Sequence, residues 1–172
     1  DEEAVKWFKL SADQGDSDAL YKLALAYDVG WVVAEDPKMA AHLAKNAAEQ
    51  GHSRAQAHLG DLYDEGRGVR KNAKAAFRWY EKSAAQNNPD SLVVLGWKYF
   101  FGNGTSVDKK KAVECFNVAA NHDDPHGQYA LGLAYEYGDG ISANRKRSFK
   151  LYLKAAEGDY DEACFKVGLA YE

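Results

Sequence analysis

The hydrophobic positions of this chain recur every 36 residues. An apolar stripe with helical spacing ends on a glycine, and the same frame then returns along the chain in constant register. Three recurring positions, which we call slots, are the clearest. The leucine slot holds Leu23, Leu59, Leu95, Leu131 and Val167, and the small-residue slot holds Ala24, Gly60, Gly96, Gly132 and Gly168. The tyrosine slot holds Tyr27, Tyr63, Tyr99, Tyr135 and Tyr171. A period of this length that is kept without insertions is typical of a stacked repeat architecture.

Each repeat predicts two helices. In the third repeat, Leu92, Leu95, Gly96 and Tyr99 form one apolar stripe, which predicts a first helix over residues 89–101. A glycine that can adopt the left-handed C′ conformation then ends this helix in each repeat, at Gly30, Gly66, Gly102 and Gly138. A second helix follows a good N-cap residue, which is Asp36, Asn72, Asp108 or Asn144. We therefore expect an all-α protein with a helix content of roughly 65–75%, about twice the globular average, and no sheet.

The second helix of each repeat carries a lysine near its start and small residues on one face. Small residues also occupy the middle of the first helices, for example Gly60 and Gly96. Glycine inside a helix costs about 1 kcal/mol relative to alanine. The pattern therefore indicates that the two helices of a repeat approach each other closely at this slot.

The repeat closely resembles the Sel1-like repeat, a relative of the tetratricopeptide repeat. Residues 55–85, "AQAHLGDLYDEGRGVRKNAKAAFRWYEKSAA", carry the resemblance almost position by position. It implies a right-handed α-solenoid that covers the whole chain as one array. The units would be a half repeat at 1–15, full repeats at 16–51, 52–87, 88–123 and 124–159, and a half repeat at 160–172. One departure is Trp31-Val32-Val33, which stands where the second glycine of the turn is expected. Because both ends match half a repeat, we expect the chain to be cut from a longer array and to self-associate through its uncapped ends.

The resemblance also implies where a partner would bind. Tetratricopeptide arrays place the first helix of each repeat on a concave face, and variable positions of that face contact ligands. The positions that map there with chemically distinctive side chains are Tyr21, Asp28, Asp61, Asp64, Glu65, Trp97, Phe100, Phe101, Tyr129, Leu133, Glu136, Tyr137 and Phe165. We expect a groove that is acidic at one end and aromatic at the other, since exposed aromatic side chains often anchor interfaces. The alternative is that the aromatic side chains are packing residues.

The function predicted from this pattern is a non-catalytic scaffold or adaptor that binds a protein or peptide, preferably one with apolar and basic side chains. One alternative is a rigid spacer that assembles end to end. A less favoured alternative is a hydrolase that acts on cell-wall compounds, an activity with which some members of the family are credited. No nucleophile lies beside a base on two neighbouring first helices, which argues against an enzyme.

Candidate cofactor and metal sites are weak. The Gly-x-Gly turns follow no strand and lack the Lys-Ser/Thr of a phosphate loop, so they indicate turns between helices. His122 and His126 lie four residues apart, but Pro125 starts a helix between them, so they do not share a helical face. We therefore predict no cofactor, no metal and no catalytic residue.

Composition and charge limit the classes of partner that the sequence predicts. The chain has 46% hydrophobic and 28% charged residues, with a formal net charge of −4. Without a basic stripe, nucleic acid is not a predicted partner. No apolar stretch predicts membrane insertion in this fragment, and no signal peptide is visible in it. The two cysteines, Cys115 and Cys164, fall in different repeats, which favours a reducing or disulfide-free compartment that the sequence does not otherwise identify.

Overall fold

The computed structural model describes residues 2–172, and within this range it contains α-helices and no strand. The helices are α1 (Glu2–Ala12), α2 (Ser17–Val29), α3 (Pro37–Glu49), α4 (Ser53–Glu65), α5 (Ala73–Ala84), α6 (Pro89–Phe101), α7 (Lys109–Asn121), α8 (Pro125–Tyr137), α9 (Arg145–Glu157) and α10 (Asp161–Ala170). They make up roughly 70% of the chain, which confirms the predicted helical content. None of these helices is both long enough and apolar enough to cross a membrane.

The chain divides into two compact units, unit 1 (Asp1–Gln86) and unit 2 (Asn87–Glu172). Within unit 1, consecutive helices from α1 to α5 pack on each other, and within unit 2 consecutive helices from α6 to α10 do the same. Even-numbered helices are the first helices of repeats, and odd-numbered helices are the second. In unit 2 the consecutive first helices α6 and α8 also contact each other.

The turn between the two helices has the same geometry in each full repeat. The glycine after the first helix is left-handed, with φ between 71° at Gly30 and 80° at Gly66. The next N-cap residue accepts hydrogen bonds from the first turn of the second helix through its side chain. Its backbone N–H donates at 2.8 Å to the carbonyl of the slot tyrosine, for example from Asn72 to Tyr63. The predicted stop and start signals are therefore confirmed, and both act in one turn.

The small-residue slot receives an aromatic ring from the second helix. A Cβ added to Gly60 would lie 2.9 Å from the Tyr80 ring, and a Cβ on Gly96 would lie 2.3 Å from the Phe116 ring. Contacts this short do not occur between real atoms, so the rings rest directly on the glycine backbone. This explains why helix-disfavouring glycine stands in the middle of α4, α6 and α8.

The second glycine of the turn contacts the preceding repeat. Gly68 has φ +66°, and a Cβ there would lie 1.8 Å from the Pro37 carbonyl oxygen at the start of α3. Gly140 has the same relation to Lys109 at the start of α7, at 2.2 Å. Val32 occupies this slot in the first repeat and keeps the left-handed conformation, with φ +65°. The turn therefore locks one repeat onto the previous one, and the first repeat adopts its geometry without glycine.

Each unit has its own hydrophobic core. In unit 1 it is built mainly of alanine and leucine from α2, α3 and α4, with Leu59 and Leu62 only 1% exposed. In unit 2 the core around α7 and α8 contains Phe116, which is also 1% exposed. Trp97 and Tyr99 pack on that cluster from α6.

Candidate functional site

Six aromatic side chains lie on the first helices of unit 2, and we call them the aromatic face. They are Trp97, Phe100, Phe101, Tyr129, Tyr137 and Phe165. Phe101, Tyr137 and Phe165 are 68%, 65% and 68% exposed, while the other three are partly buried. Rings this exposed are costly in water unless a partner covers them. Three rings of the aromatic face are therefore available for contact, and the other three are partly covered by the protein itself.

The α6 part of the aromatic face is a preorganised stack. Trp97 lies nearly parallel to Phe101, with ring centroids 5.7 Å apart and an interplanar angle of 18°. Phe100 meets both rings edge-on, and Trp97 contacts the buried Phe116 at 4.9 Å. Trp97 and Phe100 therefore hold Phe101 in a fixed position rather than projecting themselves. A rigid exposed ring loses little conformational entropy on binding.

The α8 part combines tyrosines with an ion pair. Tyr129 packs on Tyr152 and Tyr160, and Leu133 beside it is partly buried. Glu136 accepts a hydrogen bond from the Tyr152 hydroxyl at 2.5 Å.

Lys166 of α10 donates to both Glu136 oxygens, at 2.9 and 3.1 Å. Burial alone would raise the pKa of Glu136, but the hydrogen bonds from Lys166 and Tyr152 outweigh it and lower the pKa. Since Lys166 neutralises Glu136, this carboxylate is not a free contact for a basic ligand.

A cavity of 420 Å³ opens beside this ion pair. It is lined by side chains of α8, α9 and α10, including Tyr137, Phe149 and Leu169. The Lys166 ammonium lies 5.7 Å from the centroid of the Tyr137 ring, at the edge of the same cavity. The cavity has both apolar walls and charged groups, so it suits an amphipathic side chain of a bound segment.

The acidic residues predicted in unit 1 are in different environments. Glu65 is exposed at the end of α4. Asp61 accepts a hydrogen bond from the Tyr80 hydroxyl. Burial raises the pKa of Asp61, and the Tyr80 hydrogen bond opposes this rise. Asp64 is partly buried and has an interaction partner. Asp61 and Glu65 are thus both exposed, and one oxygen of Asp61 already accepts from Tyr80.

The expectation that Asp28 is an exposed binding residue is wrong, because Asp28 is 6% exposed. Arg67, from the Gly-x-Gly turn of the next repeat, lies 3.1 Å from the Asp28 carboxylate and also approaches Glu35 at 3.5 Å. The Arg67 guanidinium donates to the Asp28 carbonyl as well, at 2.6 Å. A buried carboxylate needs such a partner. Asp28 therefore links two repeats rather than contacting a ligand.

His58 completes this buried polar cluster. Its Nε2 lies 3.7 Å from the Asp28 carboxylate, and Tyr21 meets its ring edge-on at 6.3 Å. Tyr21 itself is partly buried and packs on the His52 ring at 4.8 Å. Burial lowers the pKa of His58, and the charges of Asp28 and Asp61 oppose this lowering only in part, while Arg67 adds to it. Burial thus favours the neutral form of His58 in the folded chain.

A neutral buried histidine makes stability depend on pH. We expect the free energy of unfolding to fall as the pH drops from about 8 to about 5, by at most about 1.4 kcal/mol per pH unit, because the unfolded chain gains a proton at His58 that the folded chain does not. The lowered pKa means that this stabilisation is present above the ordinary histidine pKa and is lost below it. Melting temperatures measured over this range should depend less on pH in His58→Gln than in the parent. The same change at exposed His122 should leave the pH dependence intact, and a His58→Gln protein that melts like the parent at every pH would contradict this assignment.

The sequence pattern did not identify Arg67, His58 and Lys166 as the residues that contact carboxylates of a neighbouring repeat. Each occupies a variable slot and acts on a neighbouring repeat, about 30 residues away or more. A charge comparison between consecutive repeats would have paired Lys166 with Glu136, since they lie 30 residues apart, as Lys109 and Asp139 do. Cys115 is partly buried and Cys164 is exposed.

Comparison with known proteins agrees with this repeat geometry. A profile of the Sel1 repeat matches residues 1–16, 17–52, 53–88, 89–124 and 125–160. No curated protein matches the sequence.

Among solved structures, c5321, a protective antigen of uropathogenic Escherichia coli with an SLR fold, is 34% identical with a TM-score of 0.94; the match covers 97% of this chain and 36% of that one. A Sel1 repeat protein from Oxalobacter formigenes is 29% identical with a TM-score of 0.92, and the match covers 99% of this chain and 68% of that one. Cysteine rich protein B of Helicobacter pylori is similar in fold, at 23% identity and a TM-score of 0.57, covering 70% of this chain and 92% of that one. The chain thus spans about a third of the length of the E. coli antigen.

Proposed function

Because the chain belongs to the Sel1 repeat family, whose members are commonly protein-interaction scaffolds and generally not catalysts, we propose that it is a non-catalytic adaptor that binds a partner segment on the aromatic face of unit 2. The observation that carries this proposal is the exposure of three aromatic rings, Phe101, Tyr137 and Phe165, on three first helices of one unit. Exposed aromatic side chains often anchor protein interfaces.

The chemistry of the face indicates the kind of segment that it accepts. Phe101 is backed by Trp97 and offers a rigid, flat apolar surface. The cavity next to Tyr137 is bordered by the carboxylate of Glu136 and by Lys166 and Arg145. A segment with one aromatic or aliphatic anchor and a nearby polar side chain matches this arrangement. Apolar anchors that lose their hydration supply most of the affinity of such interfaces.

The acidic side chains of unit 1 have a secondary role in this proposal. Glu65 is exposed, and its charge can attract basic residues of an approaching partner. Exposed ion pairs contribute about 0–1 kcal/mol and are screened by salt. Glu65→Gln should therefore slow association at low ionic strength and have no effect at high salt.

The test begins with peptides selected from a random display library against the 172-residue chain. The affinity of a selected peptide is then measured for the parent and for Phe101→Ala and Tyr137→Ala. We expect each substitution to weaken binding at least about tenfold at low and high salt, because truncation of a desolvated aromatic anchor costs about 2 kcal/mol. Both side chains are exposed, so neither change should alter the fold.

The matched control is Trp31→Ala, which truncates an aromatic side chain of unit 1 that is 42% exposed. Trp31→Ala should bind like the parent. Selected peptides that lose affinity with Trp31→Ala but not with Phe101→Ala would place the binding surface elsewhere. Selection that yields only peptides indifferent to both aromatic substitutions would also overturn the proposal.

A further inference from the structure

The turn between α6 and α7 contains a chemically reactive pair of residues. Asn103 is the only asparagine of the sequence that is followed by a glycine, Gly104. In such a pair the backbone nitrogen of the glycine can attack the side-chain carbonyl carbon of the asparagine, because the glycine has no Cβ that shields its nitrogen. The reaction in a folded chain then depends on how firmly the asparagine side chain and the next peptide group are held.

The Asn103 side chain is held by little. It is exposed, and within residues 2–172 it makes no hydrogen bond with another residue. The middle residues of the other two Gly-x-Gly turns differ in this respect. Arg67 pairs with Asp28, and Asp139 pairs with Lys109 at 2.6 Å. Asn103 therefore occupies a slot in which the other turns place a charged, paired side chain.

The peptide group after Asn103 is also unrestrained. The backbone N–H of Asn103 donates to the Lys98 carbonyl at 3.0 Å, and the next N–H of this turn that donates to a backbone carbonyl is that of Asp108. Across the described part of the chain, the Gly104 N–H thus has no backbone acceptor. Gly104 itself is left-handed, with φ 79°. Its nitrogen can attack without breaking a backbone hydrogen bond.

Other asparagines are obstructed. Three of them cap helices and accept hydrogen bonds through their side chains: Asn72, Asn88 and Asn144. The Asn46 side chain lies 3.3 Å from a ring nitrogen of His42. Asn117 lies inside α7, where the helix fixes the peptide group that follows it. Exposure, a free side chain and a following glycine therefore coincide at Asn103.

We propose that Asn103 is a site of spontaneous deamidation in the folded protein. The Gly104 nitrogen loses its proton to hydroxide and forms a bond to the side-chain carbonyl carbon of Asn103. The bond from that carbon to the amide nitrogen breaks, and the nitrogen takes a proton from water and leaves as ammonia. Water then adds to either carbonyl of the cyclic imide, which opens to aspartate or isoaspartate. The reaction needs only water and hydroxide.

The product differs from the parent in charge and in backbone. A carboxylate appears just beyond the end of α6, where the helix carbonyls already carry partial negative charge, so the added charge is unfavourable there. The isoaspartate form also lengthens the backbone by one carbon next to the left-handed Gly102. Phe101 is two residues away, but the inference does not depend on what binds the aromatic face.

The test follows the amide of each asparagine over time. The folded chain is incubated at neutral and at mildly alkaline pH, and its proteolytic peptides are analysed by chromatography and mass spectrometry. The Asn103 peptide should exchange its amide for an acid and separate into two products of equal mass, faster at the higher pH. Asn103 should react at least about tenfold faster than any other asparagine, since one hydrogen bond that must first break can raise the barrier by that factor.

Asn103→Gln is the matched control, because it keeps an exposed amide while its longer side chain forms a cyclic imide much more slowly. This variant should keep its amide at position 103 over the same period. The parent is also incubated in denaturant, which separates the effect of the turn from that of the residue pair. The folded parent should lose the Asn103 amide at a rate comparable to that of the denatured chain.

Two results would overturn the proposal. In the first, the folded parent keeps the Asn103 amide while the denatured chain loses it, which would show that the turn protects this residue. In the second, the folded chain loses amide evenly from its asparagines, which would show that neither the free side chain nor Gly104 directs the reaction.

Discussion

Gly68→Ala should destabilise the chain by about 3 kcal/mol or more. The left-handed backbone costs a non-glycine residue about 1–2 kcal/mol, and a methyl group in a filled space typically costs another 1–3 kcal/mol. At Gly68 both penalties apply, since φ is +66° and the added Cβ would lie 1.8 Å from the Pro37 carbonyl oxygen. That oxygen belongs to the backbone at the start of α3 and cannot move without shifting the helix. Thermal melting should show a fall of about 10 °C.

Gly51→Ala is the matched control for this change. Gly51 has φ +92° in the same unit, but nothing lies within 4 Å of its added Cβ. The control therefore carries the conformational penalty alone, and we expect a loss of about 1 kcal/mol. Equal losses at the two glycines would show that the turn does not lock onto the preceding repeat.

Phe116→Ala should be the most damaging side-chain truncation in unit 2. Phe116 is 1% exposed, rests on Gly96 and supports Trp97. Removal of a buried phenylalanine ring typically costs about 3–5 kcal/mol, because the cavity that it leaves refills only in part. The glycine backbone beneath the ring has no side chain with which to fill this space. Denaturant unfolding should show the loss as a lower midpoint.

Phe101→Ala is the control within the same aromatic cluster. Its ring is 68% exposed, so we expect a stability change within about 0.5 kcal/mol. The two phenylalanines thus separate stability from binding. A Phe101→Ala protein as unstable as Phe116→Ala would mean that Phe101 is a packing residue, and the aromatic face would lose its exposed anchor.

The elements of the fold could be predicted from the sequence because their signals are local. The helix predicted over residues 89–101 is the observed α6, Pro89–Phe101. Its boundaries follow from Pro89, a cap at Asn88 and a left-handed glycine at Gly102, all within a few residues of the helix ends. A strict period repeats such signals, so one correct interpretation serves for every repeat.

The candidate site was less predictable because its contacts connect different repeats at variable slots. The position of Asp28 on its helix suggests exposure, yet Arg67 from the next turn buries and pairs it. Trp97 likewise occupies a slot that the sequence analysis assigns to the surface, but its ring packs on Phe116 of α7. The direction of a long side chain depends on which neighbour can receive it, and periodicity carries no information about that. The position of the binding surface stays a prediction.

The neighbour-only packing within each unit has a consequence for how the protein reaches its structure. Almost all extensive helix contacts join elements that follow each other along the chain. The loops that must close are short, so little chain entropy is lost before each contact is made. Proteins with such low contact order fold quickly, and repeat arrays can nucleate at more than one place. A newly made chain can therefore consolidate one helical hairpin after another while it leaves the ribosome, with no distant segment required.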